Sequence, residues 1–238
     1  MATIPAVGRI HGVSHLLARI FPRACASCDR ETSAALLCTT CSESLYPNDH
    51  PCPGCALPHL DGPCPCRLRP SPIATMFCPF LYGGELAVAL QRLKYRSRSD
   101  IARAVGRWIG PALSTYATAV DADFIVPIPS HWLTRLHRGM DHMVEVAQAT
   151  RSQVPVISAL QKTRRTPRQA GLTRANRHRN VAGCFRVRRR WRRRLEGARV
   201  VVIDDIATTT ATMQAAAMSL QQAGCVSISA FAVARAEP

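Results

Sequence analysis

Hydrophobic and polar positions change their rhythm along the chain. From residue 73 onward, short apolar runs alternate with longer stretches of helical spacing. Ile73 to Tyr82 reads as a strand ended by Gly83-Gly84, and residues 85–117 read as largely helical. Phe124-Ile125-Val126-Pro127-Ile128-Pro129 is a short apolar strand stopped by prolines, and residues 138–151 read as helix. Val200-Val201-Val202-Ile203 is apolar at every position, as expected of a central parallel strand buried on both faces. A helix is expected from about Thr212 to Ala223 with Gly224 as its stop, followed by a last strand from Val226 to Ala234. This alternation predicts an α/β fold built on a parallel sheet.

The first 72 residues follow other rules. Ile10, Val13, Leu16, Leu17 and Ile20 recur near helical spacing, so residues 1–20 read as a short amphipathic helix packed against the body, with membrane-surface binding as the alternative. Arg9, His11, His15 and Arg19 interrupt the apolar stretch that a secretory signal needs. No run of 18 apolar residues occurs, so no membrane span is expected and a cytoplasmic location is the default. Residues 21–72 are rich in Pro, Gly and Cys and have too few apolar runs to hold a core unaided. Arg67-Leu68-Arg69-Pro70-Ser71-Pro72 reads as a boundary. The expected organisation is a helix at 1–20, a cysteine-rich module at 21–72 and an α/β domain at 73–238.

Eight of the 11 cysteines lie between positions 25 and 66. They form the pairs Cys25-x-x-Cys28, Cys38-x-x-Cys41, Cys52-x-x-Cys55 and Cys64-x-Cys66. Each pair lets two thiolates reach one ion from a tight turn, and two pairs complete a tetrahedral site with no open position. The pattern reads as one or two structural Zn2+ ions. The simple pairing joins Cys25, Cys28, Cys38 and Cys41 in one site and Cys52, Cys55, Cys64 and Cys66 in the other; a crossed pairing remains open. Cys78, Cys184 and Cys225 stand alone and read as small buried hydrophobes.

Hydrophobic residues make up 47% of the chain but aromatics only 5%, so aliphatic side chains must fill the core. The net charge of +16 comes from 29 arginines and two lysines against 15 acids. Residues 151–200 hold 16 basic residues and one acid, Glu196, so the charge is a local block rather than a general bias. Such a block meets polyanions: the phosphates of a small molecule, a nucleic acid, or both.

The most informative segment is Val200-Val-Val-Ile-Asp-Asp-Ile-Ala-Thr-Thr-Thr-Ala-Thr-Met213. An apolar strand ends in two carboxylates, then a run of small and hydroxyl residues opens a helix. Ligands of open α/β sheets bind at the carboxyl ends of strands. A hydroxyl-rich loop entering a helix offers N–H groups and the positive end of the dipole to a phosphate. Two acids before it can accept hydrogen bonds from a ribose diol, directly or through Mg2+.

This stretch resembles the phosphoribosyl-pyrophosphate (PRPP) loop of type I phosphoribosyltransferases. Together with the cysteine-rich module, it resembles the ComF/GntX family, competence-associated phosphoribosyltransferase-like proteins with an N-terminal double zinc ribbon. Leu93-Lys94-Tyr95, Val126-Pro127-Ile128-Pro129 with Arg138-Gly139, and Lys162 to Gln169 with Leu172, Arg177 and Asn180-Val181 resemble further blocks in the family's order. The resemblance implies a type I phosphoribosyltransferase-like sheet, PRPP bound with Mg2+, and transfer of phosphoribose to an acceptor, a glycosyltransferase-class reaction. It also implies a link to DNA uptake and natural transformation, with other competence proteins as candidate partners. By the same resemblance, Asp204 and Asp205 contact the ribose hydroxyls and metal, and Thr208, Thr209, Thr210, Ala211 and Thr212 cradle the 5′-phosphate. Ser130 and His131 face the pyrophosphate, and Lys162 and Arg168 belong to a cationic lid. Two departures stand out. Thr210 replaces the family's usual Gly; if the backbone there needs a positive φ, the cost is on the order of 1–3 kcal/mol. Met140-Asp141-His142 stands where the family commonly shows Phe-Asn-Gln. The two histidines His137 and His142 read as bland.

Arg186-Val-Arg-Arg-Arg-Trp-Arg-Arg-Arg194 holds seven arginines in nine residues and must be exposed, in a loop or hairpin. Its functional reading is a contact with single-stranded DNA through Arg188, Arg189, Arg190, Arg192 and Arg193, with Trp191 available for base stacking. Two classes of function therefore stand side by side: a PRPP-binding transferase, and a non-catalytic single-stranded-DNA-binding competence accessory on the same scaffold. A PRPP-sensing regulator reading DNA through its cysteine module is disfavoured, because residues 1–80 carry six arginines against five acids.

Overall fold

A computed structural model describes residues 23–58, 64, 66, 70–95, 98–131, 133, 139–164 and 183–236. The expected helix at 1–20 lies outside the described residues, as do Arg67 to Arg69 of the expected boundary. In chain order the elements are β1 (Arg23–Ala24), β2 (Glu31–Thr32), α1 (Thr39–Glu43), β3 (Met76–Phe77), β4 (Phe80–Leu81), α2 (Gly84–Tyr95) and α3 (Ser99–Ala119). They continue with β5 (Phe124–Pro127), α4 (His142–Ala149), β6 (Leu160–Lys162), β7 (Phe185–Val187), a 3-10 turn at Arg189–Trp191, α5 (Arg192–Leu195), β8 (Arg199–Ala207), α6 (Ala211–Gln221) and β9 (Ser227–Arg235).

The main sheet runs β3-β9-β8-β5, all parallel, with β4 also on β9. Strand β8 is central, as its unbroken apolar run predicts. Val200 and Val202 enter one core layer with Met213, Ala216 and Leu220 of α6. Val201 and Ile203 enter the other with Leu90 and Leu93 of α2, Val105 and Ile109 of α3 and Val146 of α4. The strand does not stop at Ile203: it continues through Ala207, so both aspartates lie within a paired strand.

The expected strand from Ile73 to Tyr82 is instead two two-residue strands laid end to end along β9. Pro79 lies between them and has no N–H to offer a ladder. The cysteine-rich module covers this broken edge. Asn48 N–H donates to Pro79 O at 3.0 Å, and Leu81 N–H donates to Tyr46 O at 2.8 Å. The module also reaches both core layers, with Cys25, Leu36 and Cys41 in the layer of α2 and α3 and Ala56 in the layer of α6. The stretch read as one helix over 85–117 is two, and the helix expected at 138–151 is shortened to α4.

Helices α3 and α4 cross very closely. A Cβ on Gly106 would lie 2.2 Å from Val146 O, and one on Gly110 would lie 2.4 Å from Thr150 O. The contact sets the position of α4, whose first residue is His142. The arginine-rich segment is neither a simple loop nor a simple hairpin. Its start pairs with β6 in a short antiparallel ladder, and the rest winds into the 3-10 turn and α5.

Candidate functional site

The ends of β8 and β5, the last turn of α2, the first turn of α4 and strand β6 surround a cavity of about 440 Å³. Tyr82, Lys94, Ser130, His142, Lys162, Asp204, Asp205, Thr208 and Thr212 are among its lining residues. It sits at the carboxyl ends of parallel strands, where open sheets place their ligands. The chain has only two lysines, and both line it.

Asp205 is 2% exposed. Its Oδ1 lies 3.0 Å from Lys94 Nζ and accepts the Ile206 N–H at 2.7 Å; its Oδ2 lies 3.4 Å from His142 Nε2. Burial opposes ionisation, but the Lys94 ammonium and His142 outweigh it and hold Asp205 well below the usual carboxylate range. Asp204 behaves oppositely. Burial and the neighbouring Asp205 charge push it up to about 7, against the pull of Lys94. Its Oδ1 accepts the Asp205 N–H at 2.9 Å. For Lys94, desolvation works against the charge, yet the two aspartates hold its pKa above the ordinary lysine value. The two neighbouring acids are thus pulled in opposite directions, Asp205 toward the anion and Asp204 toward the neutral carboxyl.

The loop after β8 runs through Thr208, Thr209 and Thr210 into α6. Thr210 has φ 61° and ψ 0°, a left-handed conformation that a β-branched residue adopts at a cost of about 1–3 kcal/mol. Its Oγ1 donates to Thr209 O at 2.7 Å. Thr209 Oγ1 is buried with no hydrogen-bond partner among the described residues. Across the cavity, Ser130 N–H donates to Asp141 Oδ2 at 3.1 Å, and Ser130 Oγ lies 3.5 Å from His142 Nδ1.

Of the residues expected at this site, the structure brings Asp204, Asp205, Lys162, Ser130, Thr208 and Thr212 to the cavity wall. Thr209, Thr210 and Ala211 continue the same loop into α6 without lining the cavity. His131 is 7% exposed and accepts the Leu133 N–H at 3.3 Å rather than facing the cavity. Arg168 lies outside the described residues. The sequence reading missed Lys94 and His142 as site groups and passed His142 over as bland. A usable signal existed: in a chain that otherwise uses arginine, the two lysines mark positions where a compact ammonium is wanted.

Each half of the cysteine module gathers four thiols. Cys25, Cys28, Cys38 and Cys41 form one cluster and Cys52, Cys55, Cys64 and Cys66 the other, each with its Sγ atoms within 4.8 Å of one another. This is the simple pairing, not the crossed one. The Cys28–Cys38, Cys52–Cys66 and Cys55–Cys64 Sγ distances are 3.7, 3.6 and 3.6 Å. A tetrahedron with metal–sulfur bonds of about 2.3 Å has edges of about 3.8 Å, so each cluster could hold one ion. Arg30 Nε donates to Cys28 Sγ at 3.4 Å and draws that thiol down to about 6. A Cβ at Gly54 would meet Cys66 Sγ at 2.9 Å, which is why that knuckle turns on glycine.

The arginine-rich segment divides. Arg188 and Arg190 line a groove of about 620 Å³ with Pro127, Pro129 and Met140, while Arg192 and Arg193 line another of about 570 Å³ with Glu196 and Gln222. Arg189 is exposed. Trp191 packs against the core, with Arg190 and Arg194 guanidiniums 5.8 and 5.5 Å from its ring. Its ring is therefore already occupied by neighbours of this chain.

These features define an α/β protein with a parallel sheet, a carboxylate-bearing cavity at its strand ends and two four-cysteine clusters. No protein-family model matches the chain. It is similar to the DNA utilization protein YhgH of Escherichia coli (strain K12), 26% identical over 208 residues covering 84% of this chain and 90% of that protein. The protein of the same name from Salmonella typhimurium (strain LT2) is 25% identical over 212 residues, with the same coverage. Among solved structures, the glutamine PRPP amidotransferase from B. subtilis complexed with ADP and GMP matches with a TM-score of 0.39 and 22% identity, over 60% of this chain and 30% of that one. Among the described residues, no helix is long and apolar enough to cross a membrane.

Proposed function

We propose that the chain is a phosphoribosyltransferase-like protein of the ComF/GntX type that binds PRPP with Mg2+ in the cavity at the end of β8. One observation carries this reading: paired aspartates, a hydroxyl-rich loop entering a helix, and both lysines of the chain converge on one cavity. The 5′-phosphate belongs at the Thr208–Thr212 loop, where the amides and dipole of α6 favour an anion. The ribose diol lies over Asp204 and Asp205, and the pyrophosphate lies toward Ser130 and Lys162. Asp205 is committed to Lys94 and His142, so Asp204 is the carboxylate suited to a hard cation, which takes one or two carboxylates and completes its shell with substrate oxygens. Bound there, Mg2+ would neutralise charge on the leaving pyrophosphate. Lys162 adds fixed positive charge as pyrophosphate departs from the anomeric carbon, and transfer of phosphoribose to a nucleophilic acceptor is the reaction class such a site serves. The two cysteine clusters hold structural Zn2+, a reading that accords with a reducing cytoplasm.

Isothermal titration of the zinc-replete protein with PRPP tests this, with and without Mg2+. Saturable, Mg2+-dependent binding is expected, and loss of binding in the Asp204→Asn/Asp205→Asn variant without loss of fold. Undiminished binding in that variant overturns the proposal.

A second reading, single-stranded DNA binding, is favoured by the exposed arginines of residues 186–194 and by the name of the curated relatives. Anisotropy with a labelled oligonucleotide at several salt concentrations tests it. Changing Arg188, Arg190, Arg192 and Arg193 to Ala lowers the slope of log K against log salt by about 3 if these residues contact phosphates. An unchanged slope removes the segment from consideration.

A further inference from the structure

Arg235, the last residue of β9, is 4% exposed. Its Nε donates to Cys55 O at 2.8 Å. Its Nη1 donates to Ala207 O at 2.6 Å, to Ala236 O at 2.8 Å and to Thr208 O. One buried cation therefore joins the backbone of the Cys52–Cys55 knuckle, in the second cysteine cluster, to the first residues of the loop that lines the cavity. Hydrogen bonds from a guanidinium to carbonyls are roughly twice as strong as neutral ones, so the tie is firm. Its position also suits the cluster. Four thiolates outweigh the charge of one Zn2+, and a loaded site is anionic, which favours a cation beside it.

The geometry has a consequence for the loop. A peptide group is planar and trans, so a carbonyl and the following N–H point in opposite directions. Fixing the Ala207 and Thr208 carbonyls on Arg235 turns the N–H groups of Thr208 and Thr209 away from it. Arg235 thus decides which way the amides at the start of the loop face.

We propose that Arg235 is a positioning residue that couples metal occupancy of the Cys52, Cys55, Cys64 and Cys66 cluster to the conformation of the Thr208–Thr212 loop. With metal bound, Cys55 O is fixed, and Arg235, anchored there through Nε, holds the loop in its ligand-receptive form. With the cluster empty, the anchor is lost and the loop loosens. The functional weight of this coupling rests on the phosphate-binding reading of the loop; the coupling itself does not.

The test uses the full-length protein and four variants: Arg235→Met, Arg235→Lys, Cys66→Ser in the second cluster and Cys28→Ser in the first. Amide hydrogen exchange over residues 206–213 is read by mass spectrometry, with zinc release to a chromogenic chelator and PRPP titration in parallel. Arg235→Met and Cys66→Ser are expected to accelerate exchange over 206–213 tenfold or more, and Cys28→Ser to leave it unchanged. Arg235→Met is also expected to speed zinc release from the second cluster. Arg235→Lys keeps the charge and gives the same changes in smaller measure, which retains the test if the Met variant fails to fold. Unchanged exchange in Arg235→Met and Cys66→Ser overturns the proposal, and so does an equal rise in Cys28→Ser. A wild-type protein that does not bind PRPP defeats the functional reading alone, since exchange and zinc release still decide the coupling.

Discussion

Replacing Gly106 by alanine tests how the crossing of α3 and α4 shapes the site. The new Cβ would lie 2.2 Å from Val146 O and 2.7 Å from Ala149 Cβ, where ordinary contacts begin at 3.4 Å. Both neighbours belong to α4, so the helices must part by roughly 1 Å to accept it. Two effects compete. Alanine gains about 1 kcal/mol over glycine inside a helix. Overpacking a close contact costs about 1–3 kcal/mol, occasionally more, and here the obstacle is backbone, which yields least. Separation also loosens the burial of Val105, Met143 and Val146, all 1% exposed or less. The expected net loss is about 2 kcal/mol, or roughly 4–8 °C in melting temperature for a chain of this size. The assay is thermal unfolding of the zinc-replete protein followed by circular dichroism. Thr115→Ala on the exposed face of α3 is the control and should melt at or slightly above the wild type. Because α4 begins at His142, which lines the cavity, the Gly106→Ala protein should also bind PRPP more weakly if the cavity is the PRPP site proposed above. A Gly106→Ala protein as stable as Thr115→Ala would refute the reasoning, since it would mean the crossing has slack that the geometry denies.

Lys94→Met leaves the buried Asp205 without its ammonium partner and should cost about 3 kcal/mol by urea unfolding, with most of the loss recovered when Asp205→Asn is added; additive losses would argue against a coupled pair. The sign with pH follows from the lowered pKa of Asp205. Its contribution is present above the unfolded carboxylate value of about 4 and fades as the pH falls toward the folded one, so the Lys94→Met deficit should shrink in acid. Thr210→Gly relieves the left-handed strain and should raise stability by about 1 kcal/mol, seen as a higher unfolding midpoint; a lower midpoint would show that the Thr210 hydroxyl matters more than the strain. Metal analysis of protein purified without chelator should return two zinc equivalents per chain, falling to one in a Cys66→Ser variant. A single equivalent in the wild type would contradict independent clusters.

The sheet was legible because the Val200–Ile203 run of β8 is apolar at every position, a signature of burial on both faces that needs no partner to interpret. The four short-spaced cysteine pairs were legible for a similar reason, since short spacings carry their geometry with them, whereas which pair joins which was open until the fold gathered them into two clusters. Lys94 and His142 were not legible. They stand 111 and 63 residues from Asp205 in sequence, and only the packing of α2 and α4 on the same face of the sheet brings them to it. Periodicity locates a helix face but does not say which strand end that face will meet. The broken strand at Pro79 was misread for a different cause. An apolar run predicts extended chain, and whether its N–H groups find acceptors depends on a proline's place in a ladder not yet known. Trp191 shows the limit of composition: among seven arginines it reads as a stacking platform for bases, and nothing in that count shows that the fold also packs it against the core.

The covering of the sheet edge by the cysteine module bears on how the protein fares in a cell. β3 and β4 are two residues each, too short to persist as strands without Tyr46 and Asn48 bound along them. Should the module unravel for want of metal, the nine residues of β9 would lose their outer neighbours and offer an unpaired ladder. Any extended segment could add to it, including β9 of a second chain. If the clusters hold zinc as proposed, its scarcity during synthesis would then show as recruitment to chaperones and inclusion bodies, and the metal would act as a licence for solubility.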